Sequence, residues 1–233
     1  MMHQHIADGR KQATAQILEQ AVAAISILKA LALLAERDPD RLILIEDERV
    51  VTRAEFDSST NRLARAYAAM GVGRGDSVSV ILPNSIAFIE AIAAIWKLGA
   101  VPKPPPLKLA AKELSEIIAL AKPKLIVGNP PVQSETCAIL PQGFTPDTAL
   151  SDAPLPDVIA THFKAMTSGG STGRPKIIVL GNPHSVSIGV ANDTPPRTRD
   201  QHQANVRAIF CERGSPRVRL ESRHKVRVPD NPL

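Results

Sequence analysis

Between residues 77 and 98 the chain reads Ser-Val-Ser-Val-Ile-Leu, breaks at Pro83-Asn84, and continues as a helix-length segment that is apolar on almost every face. Ile86, Phe88, Ile89, Ile92, Ile95 and Trp96 leave no polar stripe. A helix of that kind needs cover all round, so the segment predicts a strand and a helix buried together inside a layered domain. The flanking segments extend the pattern. Arg41-Leu-Ile-Leu-Ile-Glu46 reads as a strand closed by Asp47-Glu48. Thr52 with Glu55 forms a capping box, and the helix it opens turns Phe56, Leu63, Tyr67 and Met70 inward before stopping at Gly71. Gly71-Val-Gly-Arg-Gly-Asp76 leads into the strand at 77–82. Asn84 is the expected cap of a helix over 85–98, ended by Gly99, with a short extended piece to Pro102. A helix over 110–121 precedes a strand over 124–127. Strand and helix alternating at this spacing predict an α/β fold, layered, with a largely parallel sheet and flanking helices.

Composition narrows the function classes. Of 233 residues, 44% are apolar and 22% charged, which excludes a wholly disordered or fibrous chain. Aromatic residues are 3%, a poor supply for base stacking. Two cysteines, Cys137 and Cys211, make neither a disulfide framework nor a Cys-x-x-Cys metal site. The net charge of +5 is unevenly placed: residues 1–180 hold 19 basic and 18 acidic side chains, residues 181–233 hold 9 and 5.

Three regions follow. In residues 1–34, Ile17, Leu18, Val22, Ile25, Leu28, Leu31 and Leu34 recur at helical spacing, and the helix is expected to run over 16–35. Glu19, Gln20, Ser26 and Lys29 interrupt that stretch, so no membrane span is expected. With no secretory signal pattern either, the expected location is cytoplasmic. Residues 35–180 form the α/β body, in which 128–157 is a surface connection with one short strand, and Asp152 and Asp157 are expected to be solvated there. Residues 181–233 are an Arg/Pro-rich tail, eight Arg among nine basic residues and six Pro, expected to be disordered.

The chemistry concentrates at residues 166–176, Met-Thr-Ser-Gly-Gly-Ser-Thr-Gly-Arg-Pro-Lys. Glycines let backbone amides approach a ligand without a Cβ in the way, and successive N–H groups make an anion-binding nest. Thr167, Ser168, Ser171 and Thr172 add hydroxyl donors, Gly169, Gly170 and Gly173 the backbone freedom, and Lys176 a cation. The whole reads as a cradle for polyphosphate. It is not a Walker A loop, because Pro175 precedes the lysine and the residues after it, Ile177-Ile-Val-Leu180, are those of a strand. The loop is expected between two strands.

At these residues the sequence resembles the adenylate-forming superfamily of acyl-CoA synthetases, peptide-synthetase adenylation domains and luciferases. The superfamily signature Thr-Ser-Gly-[Ser/Thr]-Thr-Gly-x-Pro-Lys matches Thr167 to Lys176 with one extra glycine, a variant similar to the fatty-acid and bile-acid CoA ligase branch. Leu63-Ala-Arg65, Gly71 to Asp76, Leu82-Pro-Asn84 and Trp96-Lys-Leu-Gly-Ala-Val-Pro102 stand in the superfamily's order. The resemblance implies an α/β N-terminal domain and two-step chemistry. A carboxylic acid and Mg2+-ATP give acyl-adenylate and pyrophosphate, and coenzyme A then displaces AMP.

The superfamily's later motifs, including Tyr-Gly-x-Thr-Glu and the adenylation lysine, do not occur in this sequence. No catalytic residue and no metal ligand are therefore assigned, and the expectation is an incomplete N-terminal domain of an acyl-CoA ligase, inactive alone or completed by another polypeptide. Two other functions were weighed: a non-catalytic module binding nucleotide phosphate, and an interaction protein contacting nucleic acid through its Arg-rich tail. The tail's charges are spaced rather than clustered, with only Phe210 to stack, so nucleic acid is not an expected partner.

Overall fold

The computed structural model describes residues 24–131, 137–168, 176–180, 185–187 and 226–227. The chain divides into two compact units, one comprising residues 26–184 with 220–233 and the other residues 1–25 with 185–219. Of the second unit, residues 24 and 25 of β1 (Ala24–Ser26) and β10 (Ser185–Ser187) are described. Everything that follows concerns the first unit.

Its centre is a four-stranded parallel sheet in the order β5-β4-β6-β7, from Val101–Lys103, Ser77–Ile81, Leu125–Gly128 and Ala138–Leu140. Strands β4 and β6 are buried along nearly their whole length, as parallel strands covered on both faces are. Helix α3 (Ile86–Lys97) lies against α1 (Ile27–Arg37), α2 (Arg53–Ala69) and strands β2 (Leu42–Glu46), β4 and β5. That arrangement explains its all-round apolar sequence: nine of its twelve residues are buried. Helix α4 (Ala111–Ala121) packs Leu114 and Ile118 against Ile81 and Ile126. A separate antiparallel sheet joins β2 (Leu42–Glu46) to β3 (Arg49–Thr52) and, on the other side, to β11 (Val226–Arg227).

Local signals predicted from sequence are mostly where expected. The Thr52–Glu55 capping box forms reciprocally, at 3.2 and 2.8 Å. Gly71 follows the end of α2 at φ +83°. The parallel sheet requires one further glycine: a Cβ on Gly128 (φ +124°) would stand 2.0 Å from the Ile81 carbonyl oxygen. No helix among the described residues is long and apolar enough to cross a membrane.

Two expectations are corrected. The helix predicted over 16–35 begins at Ile27, because Ser26 caps it by accepting the Lys29 N–H, and residues 24–26 are extended; residues 16–23 lie outside the described residues. Ser85, not Asn84, caps α3, its hydroxyl accepting the Phe88 N–H at 3.1 Å. Asp152 and Asp157 are exposed, as expected, and are also hydrogen-bonded. Asp152 accepts hydrogen bonds from Arg62 at 2.6 Å and Ser58 at 3.0 Å, and Asp157 accepts the Ser26 N–H at 3.3 Å. Of the tail at 181–233 only residues 185–187 and 226–227, both strands, are described, so its expected disorder falls outside the described residues.

Candidate phosphate-loop site

Strands β8 (Ala165–Ser168) and β9 (Lys176–Val179) form an antiparallel hairpin with register Ala165↔Val179, Met166↔Ile178, Thr167↔Ile177 and Ser168↔Lys176. The two ends of the glycine-rich segment thus face each other across the last ladder position. Of the eight candidate residues, Thr167, Ser168 and Lys176 are brought together at that end, with the Lys176 side chain exposed. Gly169, Gly170, Ser171, Thr172 and Gly173 lie outside the described residues. The sequence argument that this is a strand-to-strand loop rather than a strand-to-helix loop agrees with the hairpin, since Ile177, Ile178 and Val179 continue as strand.

The base of the hairpin is fixed to the body. Phe163 N–H donates to the Leu180 carbonyl at 3.3 Å and Leu180 N–H to the Lys164 carbonyl at 3.0 Å. Ala165 is buried, and β8 lies beside β5 while β9 lies beside α4. On the inner side the Trp96 indole donates from Nε1 to the Phe163 carbonyl at 2.8 Å, with ring centroids 5.0 Å apart.

A cavity of about 10 Å³ at the hairpin's inner face is lined by Ser79, Lys103, Thr167 and Ile177 among others. That is room for about one water. Lys103, at the end of β5, donates to the Ala121 carbonyl at 3.3 Å, and partial burial pushes its pKa down. Sequence reasoning passed over Lys103, since a lysine before three prolines reads as an exposed loop residue.

A second polar cluster, also missed, lies between α2 and α3. Lys97 Nζ donates to Asp57 Oδ1 at 2.7 Å, Asn61 Oδ1 at 2.6 Å and the Asp57 carbonyl at 3.2 Å. Burial lowers the Lys97 pKa, opposed by its bond to Asp57. Asn61 Nδ2 donates in turn to Asp57 Oδ2 and to the Asp152 carbonyl, tying the connection after β7 to α2. The signal was a lysine in a helix whose one other charged residue is Glu90. All three ammonium protons are used, so the cluster is a brace rather than a ligand site. A cavity of about 30 Å³ beside it is far too small for a nucleotide. Among the described residues no three His, Cys, Asp or Glu side chains converge on a metal position.

The comparisons with known proteins agree with this geometry. Long-chain-fatty-acid–CoA ligase FadD13 of Mycobacterium tuberculosis is 29% identical over 171 residues, covering 65% of this chain and 34% of that protein. A probable non-canonical nonribosomal peptide synthetase, CymA of Salinispora arenicola, is 30% identical over 160 residues, covering 66% of this chain and 2% of that protein. Among solved structures, the Klebsiella oxytoca NpsA N-terminal subdomain in complex with 3-hydroxybenzoyl-AMSN superposes with a TM-score of 0.57 at 21% identity, over 66% of this chain and 40% of that one. The N-terminal domain of FACL13 from Mycobacterium tuberculosis, inhibitor-bound, gives 0.56 at 23%, over 69% and 44%. The chain therefore spans about a third of the ligase's length and far less of the synthetase's. The family model for AMP-binding enzymes matches residues 31–205, taking in the central sheet and the whole candidate loop, and the chain belongs to that family.

Proposed function

We propose that the β8–β9 loop binds the polyphosphate of ATP in the service of carboxylate activation, within an ATP-dependent acid–thiol ligase of the fatty-acyl-CoA type. The observation that carries this reading is the register Ser168↔Lys176, which sets the hydroxyl and lysine ends of a glycine-rich segment against each other at one hairpin tip. In that role Thr167, Ser168, Ser171 and Thr172 supply hydroxyls. Gly169, Gly170 and Gly173 leave their amides open to the phosphates, and Lys176 neutralises charge. In the first step a carboxylate oxygen bonds to the α-phosphorus as the bond from that phosphorus to the bridging oxygen breaks, releasing pyrophosphate. Preorganised donors on the leaving β- and γ-phosphates favour that charge redistribution. In the second step the thiol of coenzyme A loses its proton to solvent, its sulfur bonds to the acyl carbon, and the bond from that carbon to the phosphate oxygen breaks, releasing AMP.

The extra glycine at Gly169-Gly170 supports the CoA-ligase branch over peptide-synthetase adenylation. The relatives include both kinds. Acyl-adenylate turnover by this chain alone is not part of the proposal; phosphate binding is. The test is equilibrium binding of Mg-ATP to the full chain and to K176A. Removing a charge-assisted contact of this kind should weaken binding about 10-fold or more. Equal affinity in the two proteins would exclude the loop as the phosphate site.

A further inference from the structure

We propose that Trp96 is a positioning residue for the candidate phosphate loop, holding the base of the β8–β9 hairpin so that the loop's two ends meet a nucleotide polyphosphate in fixed register. The inference rests on the phosphate-binding reading above and adds a residue outside the loop on which affinity depends.

Trp96 lies in the last turn of α3 and is 4% exposed. Its indole N–H is bonded to the Phe163 carbonyl and its ring lies beside the Phe163 ring. The Phe163 N–H, on the other side of the residue, is bonded to Leu180, and the next carbonyl, of Lys164, accepts the Leu180 N–H. The backbone of residues 163–164 is thus bonded to α3 through the Phe163 carbonyl and to the returning strand through the Phe163 N–H and the Lys164 carbonyl. Four ladder positions further out, about 13 Å at a strand's rise per residue, stand Ser168 and Lys176.

The hairpin has little else to hold it on its outer side. Ile178, Val179 and Leu180 are 47%, 46% and 37% exposed, so the outer part of β9 has no apolar cover among the described residues. A two-stranded ribbon is marginal unless another element supports it. Here the support is on the inner side: buried Ala165 against β5, β9 against α4, and the indole on Phe163.

Trp96 itself cannot swing freely. The next residue, Lys97, ties α3 to Asp57 and Asn61 on α2. The connection leading to Phe163 is fixed to the same helices, through Arg62 on Asp152 and the Leu150 carbonyl, and by the approach of Val158 to Gly99, where a Cβ would lie 2.5 Å from Val158 Cγ1. The indole is the last of these attachments before β8 begins.

The experiment uses the full chain with W96F, which keeps a ring and removes the N–H, W96L, which removes both, and K176A. V51A serves as a control: Val51 is buried in β3, in a different sheet from the hairpin. Affinity for Mg-ATP is measured by calorimetry, and stability by urea midpoint. W96F should weaken binding about fivefold, the worth of one hydrogen bond, and W96L more. V51A should lower the midpoint with unchanged affinity.

Trp96 is also the only tryptophan in the sequence, so its emission reports on the hairpin base directly. Titration with Mg-ATP should shift the emission of the unsubstituted chain, with the midpoint for K176A at about 10-fold higher concentration or more. If the unsubstituted chain binds Mg-ATP more tightly than K176A while W96F and W96L match V51A in affinity, the positioning role is wrong and the loop assignment stands. If a cooperatively melting unsubstituted chain binds no Mg-ATP, both fall together. If neither Trp96 substitution folds, the emission decides, and no shift on saturation overturns the inference.

Discussion

Replacing Lys97 with methionine is the sharpest test of how the body is braced. The lysine side chain is 6% exposed and that of Asp57 21%. Methionine fills nearly the same volume and removes the cost of burying an ammonium, so packing alone predicts a small change. The partners it leaves decide otherwise. Asn61, 1% exposed, loses the donor to its Oδ1, and Asp57 Oδ1 loses its only described charge partner at 2.7 Å. Removing one member of a buried ion pair costs about 3–5 kcal/mol. Since Asp57 retains the Asn61 Nδ2 bond and some access to water, the low end, about 3 kcal/mol, is expected. With a urea m-value of about 1–3 kcal/mol/M, the midpoint should fall by about 1 M or more. Adding D57N to K97M removes the stranded charge, so the double variant should recover part of the loss and give a coupling energy above about 1 kcal/mol. A K97M loss below about 1 kcal/mol with unchanged slope, and no coupling to Asp57, would refute the brace.

Further predictions concern other parts of the same unit. Burial raises the Glu90 pKa above its ordinary 4.5, opposed by the Ser59 hydroxyl at 2.8 Å and by Arg49. A carboxyl with a raised folded pKa contributes most below its unfolded value and loses that contribution as pH rises through the folded one. E90Q should therefore melt higher than the unsubstituted chain at pH 7, with the difference shrinking as the pH approaches 4.5. G128A should abolish a cooperative melt, because its Cβ would overlap the Ile81 carbonyl, whereas G143A, at φ +87° with nothing within 4 Å, should cost only about 1–2 kcal/mol of backbone strain. D152A should leave the melt of the body nearly in place yet speed proteolytic cleavage within 141–158, since that aspartate ties the connection to Ser58 and Arg62 on α2.

The sequence made the alternation of elements readable because each signal there is local. Period and length separate β4 from α3, and the capping box at Thr52 needs only three residues to be recognised. The choice between Asn84 and Ser85 as cap was not readable in the same way. Both residue types cap well, and what decides is that the next amide, of Ile86, is already taken by Glu46 Oε2, 40 residues earlier, at 3.0 Å. The Lys97 brace and the Asp152 bonds were hidden for the same reason. Each joins groups 36 to 94 residues apart, and nothing local marks the partner.

The candidate loop shows how far local reading extends. The chemistry proposed for it is a local reading, because a phosphate cradle would be built from backbone freedom and short hydroxyls, which are properties of consecutive residues. Its placement between strands was legible from the β-branched run after Lys176. What holds it was not, because that depends on Trp96, 67 residues earlier than Phe163. The proposed site is followed by strand β9 rather than a helix, so no helix dipole supports it as in a strand-to-helix phosphate loop. Its hold on an anion must therefore come from Lys176, from the amides, and from how rigidly the two strand ends are kept in register. That last term belongs to the α3 side of the hairpin, which is why a buried indole remote from the loop tip should register in nucleotide affinity.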